Sequence, residues 1–227
     1  MAGTAQHLAI ADRVACLLGE EKIKNLPLFF SGNIAPDAIH ARANYERAFK
    51  KHTHLTEGLH NGDFVYPDIL AIFKKRLDDY IKTYYKKESE EAELYLGYIS
   101  HLITDELFNI HSREMIVERM AKDGVDQNDT EFYRRFMKDM DSIDISVAVN
   151  YPFVHDIENE LSSVWGYEIK DMILPEEADA SKRWAVNKLF HSDNTTVGEA
   201  KYYSYNDAYD FIINASEEVA KRINELC

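Results

Sequence analysis

Leu96-Gly-Tyr-Ile-Ser-His-Leu-Ile-Thr-Asp-Glu-Leu-Phe-Asn-Ile-His111 sets His101 and Asp105 one helical turn apart inside an otherwise apolar segment. Residues at i and i+4 share a helix face, so this imidazole and this carboxylate can point at one spot. A carboxylate on a buried face is costly unless something offsets its charge. A divalent cation would neutralise it and take both side chains as ligands. Taken alone, the pair also fits an amphipathic helix in which His101 is a satisfied core histidine and Asp105 caps or pairs with a neighbour.

The pair has company upstream. His7 stands in His7-Leu-Ala-Ile-Ala11, Asp37 ends Phe30-Ser-Gly-Asn-Ile-Ala-Pro-Asp37, and His54 lies in Lys50-Lys-His-Thr-His-Leu55. Together these supply three imidazoles and two carboxylates. Zinc is bound by His nitrogens and Asp or Glu oxygens, and five such ligands suit a centre of two or more metals.

The order of these segments, His7, then Gly-Asn-Ile-Ala-Pro-Asp37, then Thr-His54-Leu, then Gly97-Tyr-Ile-Ser-His-Leu-Ile-Thr-Asp105, resembles the zinc-dependent phospholipase C family, in its small intracellular bacterial branch. The resemblance covers about the first half of the chain. That family and its relatives, the single-strand-specific zinc nucleases, are all-α, and hold up to three zinc ions that hydrolyse phosphate esters. The resemblance therefore implies an all-α multi-helix bundle, a single domain over residues 1–227, and a zinc-dependent phosphoesterase. It implies that Asp37, His54, His101 and Asp105 hold one metal, with Asp105 bridging to a second that His7 also binds.

The family pattern His-x3-Asp-x5-His is met by His101, Asp105 and His111. Two departures follow. The family continues with a further His-x3-Glu or His-x3-Asp on a later helix, and no such pair exists here. The nearest substitute is His155 with Glu158, since the i+4 position is Asn159. His111 itself lies off the face of His101 at about 100° per residue, so it joins a cluster only through a kink or a helix end. At the amino end, secreted phospholipases use a processed terminal Trp amine, whereas this sequence begins Met1-Ala-Gly-Thr-Ala-Gln-His7, which leaves the His7 metal in need of water or another side chain. We therefore expect two zinc ions with a possible third, in a site that other divalent transition metals can also occupy.

The formal charge of −14 opposes a polyanionic partner, because a nucleic-acid binder normally presents a basic face. Nucleic acid is disfavoured and a small phosphate ester preferred as substrate. A basic island runs from Lys50 to His54, beside a proposed ligand, where it could steer a phosphate; Lys74-Lys-Arg76 and Lys86-Lys87 read as solvated helix surface. No apolar run reaches the roughly 18 residues of a membrane span, and the start lacks a signal-peptide pattern. The expected location is the cytoplasm. There the Asn128-Asp-Thr130 and Asn194-Thr-Thr196 sequons are incidental, and the two cysteines form no disulfide framework: Cys16 is expected in a buried helix face and Cys227 on a loose tail.

The periodicity predicts helices throughout. One runs from about 5 to 19, ended by Gly19; Leu26 to Phe30 reads as a buried connection, and Gly32 to Pro36 as a turn that sets Asp37 near a helix start. Residues 55 to 65 form a loop that could rim the site, with His52 and His60 as spare histidines. Further helices are expected at 67–85, at about 94–122 with a break near His111, at 130–140, at 153–164 opened by Pro152, at 176–191, and from an Asn206 cap to about Leu226. The many tyrosines, Tyr95, Tyr98, Tyr151, Tyr202, Tyr203 and Tyr205 among them, are expected mainly in packing.

The chemistry expected is hydrolysis of a phosphodiester or phosphomonoester by a metal-activated water, with Asp37 orienting or deprotonating that water and a cation from residues 47–51 holding a phosphate oxygen. Two alternatives stand beside it. His155-Asp156 resembles the dipeptide of HD-domain metal phosphohydrolases, although that leaves Asp37, His54 and His101 unexplained. A helical protein with purely structural metals would close its sites against exchangeable water.

Overall fold

The computed structural model describes residues 1–191 and 199–227; the Asn194-Thr-Thr196 sequon lies outside the described residues. Among these residues every regular element is helical, and the sole β-type pairing is an isolated bridge between Ile169 and Ile173. The fold is all-α, as expected.

Its centre is α5 (Ala92–Ile110), which is buried on almost every side, Leu94, Ile99 and Phe108 included. A helix apolar all round belongs inside a protein, and α5 is enclosed by α1 (Thr4–Leu18), α2 (Leu26–Ile34) and α10 (Tyr205–Asn224). α10 instead has one apolar stripe, through Ala208, Phe211, Ile212, Ala215, Val219 and Ile223, with charges outside. α4 (Pro67–Tyr84) is amphipathic in the same way and buries Phe73, Leu77 and Tyr80.

The expected buried connection at Leu26–Phe30 and turn at Gly32–Pro36 are corrected: both lie in helix. Asn25 caps α2 by accepting the Leu28 N–H at 3.1 Å, Pro27 fits the first turn, and the helix passes straight into a 3-10 helix, Ala35–Ala41. Gly32 is there for contact rather than for turning. A Cβ on Gly32 would stand 1.9 Å from the Leu94 carbonyl oxygen, and one on Gly97 would stand 2.0 Å from that of Phe29. The two glycines let α2 and α5 touch backbone to backbone, which brings the Asp37 segment beside the His101 helix.

The break expected near His111 is present, with α5 ending at Ile110 and α6 (Ser112–Lys122) beginning beyond His111. α7 (Thr130–Asn150) runs ten residues further than expected, carried by the buried Ile143 and Val147. α8 (Ile157–Ser162) is shorter than the helix assigned to Pro152. It starts at the Asp156 cap, because Val154 and His155 give their backbone N–H groups to Asp12. α9 (Pro175–Phe190) falls where expected. The last helix is capped by Ser204, not Asn206: Ser204 and Asp207 exchange side-chain and backbone hydrogen bonds in a capping box. Cys16, expected buried, is exposed on the final turn of α1, where the buried face stops at Ala15; Cys227 is partly covered by the core.

Candidate metal centre

α5 turns His101 and Asp105 inward together, and both are buried. Nδ1 of His101 donates to the Asn33 carbonyl at 2.7 Å, so Nε2 is the nitrogen presented to the interior. α3 (Arg47–Thr53) ends at His54, whose Nδ1 is fixed by the Lys50 carbonyl at 2.9 Å. Its Nε2 then lies 3.3 Å from Nε2 of His101. Buttressing continues behind it, where Thr53 Oγ1 donates to the Pro36 carbonyl at 3.0 Å and Tyr98 donates to the Thr53 carbonyl at 2.5 Å. Backbone carbonyls that orient imidazoles in this way are the outer support that metal-binding histidines need.

Asp105 divides its two oxygens. Oδ1 lies 3.3 Å from Nε2 of His7 and accepts the Ala2 N–H at 3.1 Å, while Oδ2 lies 3.7 Å from Nε2 of both His54 and His101. The His7 ring stacks on that of His101 with centroids 3.7 Å apart. Asp37, in the first turn of the 3-10 helix, completes the second side with Oδ1 3.4 Å from Nε2 of His54. The side chains thus form two overlapping groups, His7–His101–Asp105 and Asp37–His54–His101, each with its ligand atoms within 4.8 Å of one another.

The donor set fits zinc. Both ring nitrogens of His7 and Oδ2 of Asp105 are buried with no hydrogen-bond partner, a cost that native proteins rarely leave uncompensated. Burial, with the neighbouring His7 charge, holds the His101 pKa well below the usual histidine value, so the ring stays neutral as a ligand must. Burial pushes both carboxylates up, but His7 beside Asp105, and Lys50 and His54 beside Asp37, hold them well below the usual range. A buried Met1 amine adjoins the centre. Burial lowers its pKa to about 5; Asp105 opposes this, while the positive charges of Arg113 and Lys50 add to it.

Two features of this side escaped the sequence reading. Lys50 Nζ lies 2.6 Å from Asp37 Oδ1 and 3.2 Å from Nε2 of the half-exposed His40. The i, i+3 spacing of Asp37 and His40 was the available signal. Arg113, in the first turn of α6, packs its guanidinium over Phe132 and Phe136, and burial lowers its pKa with no acid to oppose it.

The other candidates stand apart from these two groups. His111 is exposed and lines a cleft of about 770 Å³ with Glu106, Phe211 and Arg222. His52 pairs with Glu57 at 2.8 Å, and His60 is exposed. His155 is held by Asp12 at 2.7 Å and Glu158 by His191 at 2.7 Å, so the substitute pair for a third metal is not assembled. Asp156 serves as the α8 cap, which separates it in role from His155.

Residues 6–223 match the model of a family described as zinc dependent phospholipase C, well past the first half on which the resemblance rested. No curated protein and no solved structure matches the chain.

Proposed function

Since the chain belongs to the zinc-dependent phospholipase C family, we propose that His7, Asp37, His54, His101 and Asp105 hold two zinc ions and that the centre hydrolyses a small soluble phosphodiester or phosphomonoester. What carries this reading is the division of Asp105, one oxygen toward His7 and the other toward His54 and His101, in a pocket where both ring nitrogens of His7 are buried without a partner. Zinc so bound supplies a Lewis acid that makes water acidic and polarises the phosphoryl oxygens.

The residues do the rest. Asp37 keeps 23 % of its side chain exposed, so incoming water and substrate reach it first. With its pKa held down by Lys50, Asp37 is ionised at neutral pH and orients the attacking water more strongly than it attracts the proton. Lys50 borders the same opening and holds a non-bridging phosphate oxygen. Among the described residues no helix is long and apolar enough to cross a membrane.

His155 and Asp156 face different partners, which counts against the HD-domain alternative. Elemental analysis of the purified protein, beside a variant with His101→Ala and Asp105→Ala, tests the proposal when both are assayed on an aryl phosphodiester. Two zinc ions per chain, lost together with hydrolysis in the variant, are expected. Retained metal with no turnover of any phosphate ester would favour structural zinc instead.

A further inference from the structure

Forty acidic residues face twenty-six lysines and arginines in this chain, so a half-buried guanidinium without a carboxylate is unexpected. Arg42 has Glu177, Arg119 has Asp207 and Arg222 has Glu106. Arg113 has none: among the described residues it makes no ion pair and no hydrogen bond, and its Nε is buried without a partner. Its plane is held instead by the Phe132 and Phe136 rings, 5.2 and 5.5 Å from the guanidinium carbon. Aromatic faces fix a guanidinium and leave its N–H fork unused.

Its place in the fold says what the fork is for. Arg113 follows His111 by two residues and lies against the loop after His54, where a Cβ on Gly62 would sit 3.9 Å from Nε. Phe136, one of the two rings that hold it, also packs edge-on against Phe108, three residues past Asp105 on α5, which ties the Arg113 side chain to the helix that carries His101 and Asp105. Asn109, one turn past Asp105 on the same helix face, likewise has a buried Oδ1 with no partner. Unpaired polar groups therefore continue from Asp105 along α5 toward α6.

We propose that Arg113 binds the phosphoryl group on which the centre acts, its fork taking two non-bridging oxygens from the α6 side while Lys50 flanks the group from the Asp37 side. This rests on the phosphoesterase reading. Arginine suits the task because its planar, fixed donors match phosphate geometry in a way that an ammonium does not. The stacked guanidinium would then be a substrate-binding residue, its buried Nε unpartnered because the substrate supplies the missing acceptor.

The test is titration of inorganic phosphate into zinc-loaded wild type and R113Q, with zinc content measured in both, alongside KM and kcat on the aryl phosphodiester. We expect R113Q to keep its zinc, to bind phosphate roughly tenfold to a hundredfold more weakly, and to lose in KM more than in kcat. Unchanged phosphate affinity at full zinc content overturns the proposal, and so does loss of zinc in a folded R113Q, which would make Arg113 part of the scaffold. Should R113Q not fold, wild type labelled with nitrogen-15 at arginine decides. The Nε–H resonance missing from R113K must move on phosphate addition, and a peak that stays in place refutes the assignment. If wild type holds no zinc, the phosphoesterase reading falls, and the same resonance still scores Arg113 as an anion site.

Discussion

Gly97→Ala probes the contact on which the site's geometry depends. The added methyl would stand 2.0 Å from the Phe29 carbonyl oxygen and 2.7 Å from the Asn33 nitrogen, both backbone atoms that no rotamer change can move. Ordinary contact begins near 3.4 Å, so α2 and α5 must part by about 1.4 Å. Overpacking of this kind costs about 1–3 kcal/mol. The same displacement carries Asn33 away from His101, stretching a 2.7 Å hydrogen bond beyond useful range, which adds about 1–3 kcal/mol for a buried polar group. Alanine's better helix propensity returns about 1 kcal/mol. The strain wins, leaving a net loss of about 1–5 kcal/mol and a melting temperature lower by roughly 2–20 °C. Zinc affinity should fall about 10–100-fold, since the carbonyl that orients His101 has moved. Thermal unfolding of the metal-free protein and competition with a zinc chelator measure the two effects separately. A variant that melts within about 2 °C of wild type and holds zinc equally well would refute the backbone-contact account.

Arg42→Ala removes the bidentate partner of the buried Glu177, with bonds of 2.6 and 3.0 Å. Because the Arg42 side chain is 29 % exposed, the loss is put at about 2–3 kcal/mol, and a urea midpoint equal to wild type would contradict it. Asp144 accepts the Ala5 N–H at 2.6 Å from a buried position, and burial raises its pKa to about 6. The folded value lies above the unfolded one of about 3.9, so folding opposes ionisation: this contribution is complete below pH 4 and is lost as pH rises through 6. Asp144→Asn should therefore stabilise the metal-free protein by up to about 3 kcal/mol at pH 7.5, and by less at pH 5; destabilisation at pH 7.5 in urea unfolding would count against this. For Asp37 the sign is reversed, since its folded pKa is held low: its stabilisation is present above about pH 4 and lost as pH falls. Lys50→Met removes the ammonium that holds it down and should move the acid-unfolding midpoint to higher pH, and an unmoved midpoint would refute the pairing.

Much of the fold was legible because helix formation is local. Apolar spacing located α1, α4, α5, α9 and α10 within a few residues, and His101 and Asp105 share a face through spacing alone. Where the sequence misled, a distant residue had intervened. Gly32 looked like a turn signal because its role depends on Leu94, sixty-two residues away, and the helix at Pro152 is shortened because Asp12 takes the backbone N–H groups of Val154 and His155.

The same division holds at the centre. Residue type and order along the chain selected His7, Asp37, His54, His101 and Asp105 as candidate ligands, since nitrogen and carboxylate donors and helical spacing are properties of the sequence itself. Only the tertiary structure decided that Asp105 turns one oxygen to His7 and the other to His54 and His101, that Lys50 rests on Asp37, that His111 opens onto a separate cleft, and that Arg113 is left without an acid. Each of those depends on the angle and distance between elements far apart in sequence. These follow from how α1, α2, α3 and α6 pack around α5, and no local periodicity encodes them.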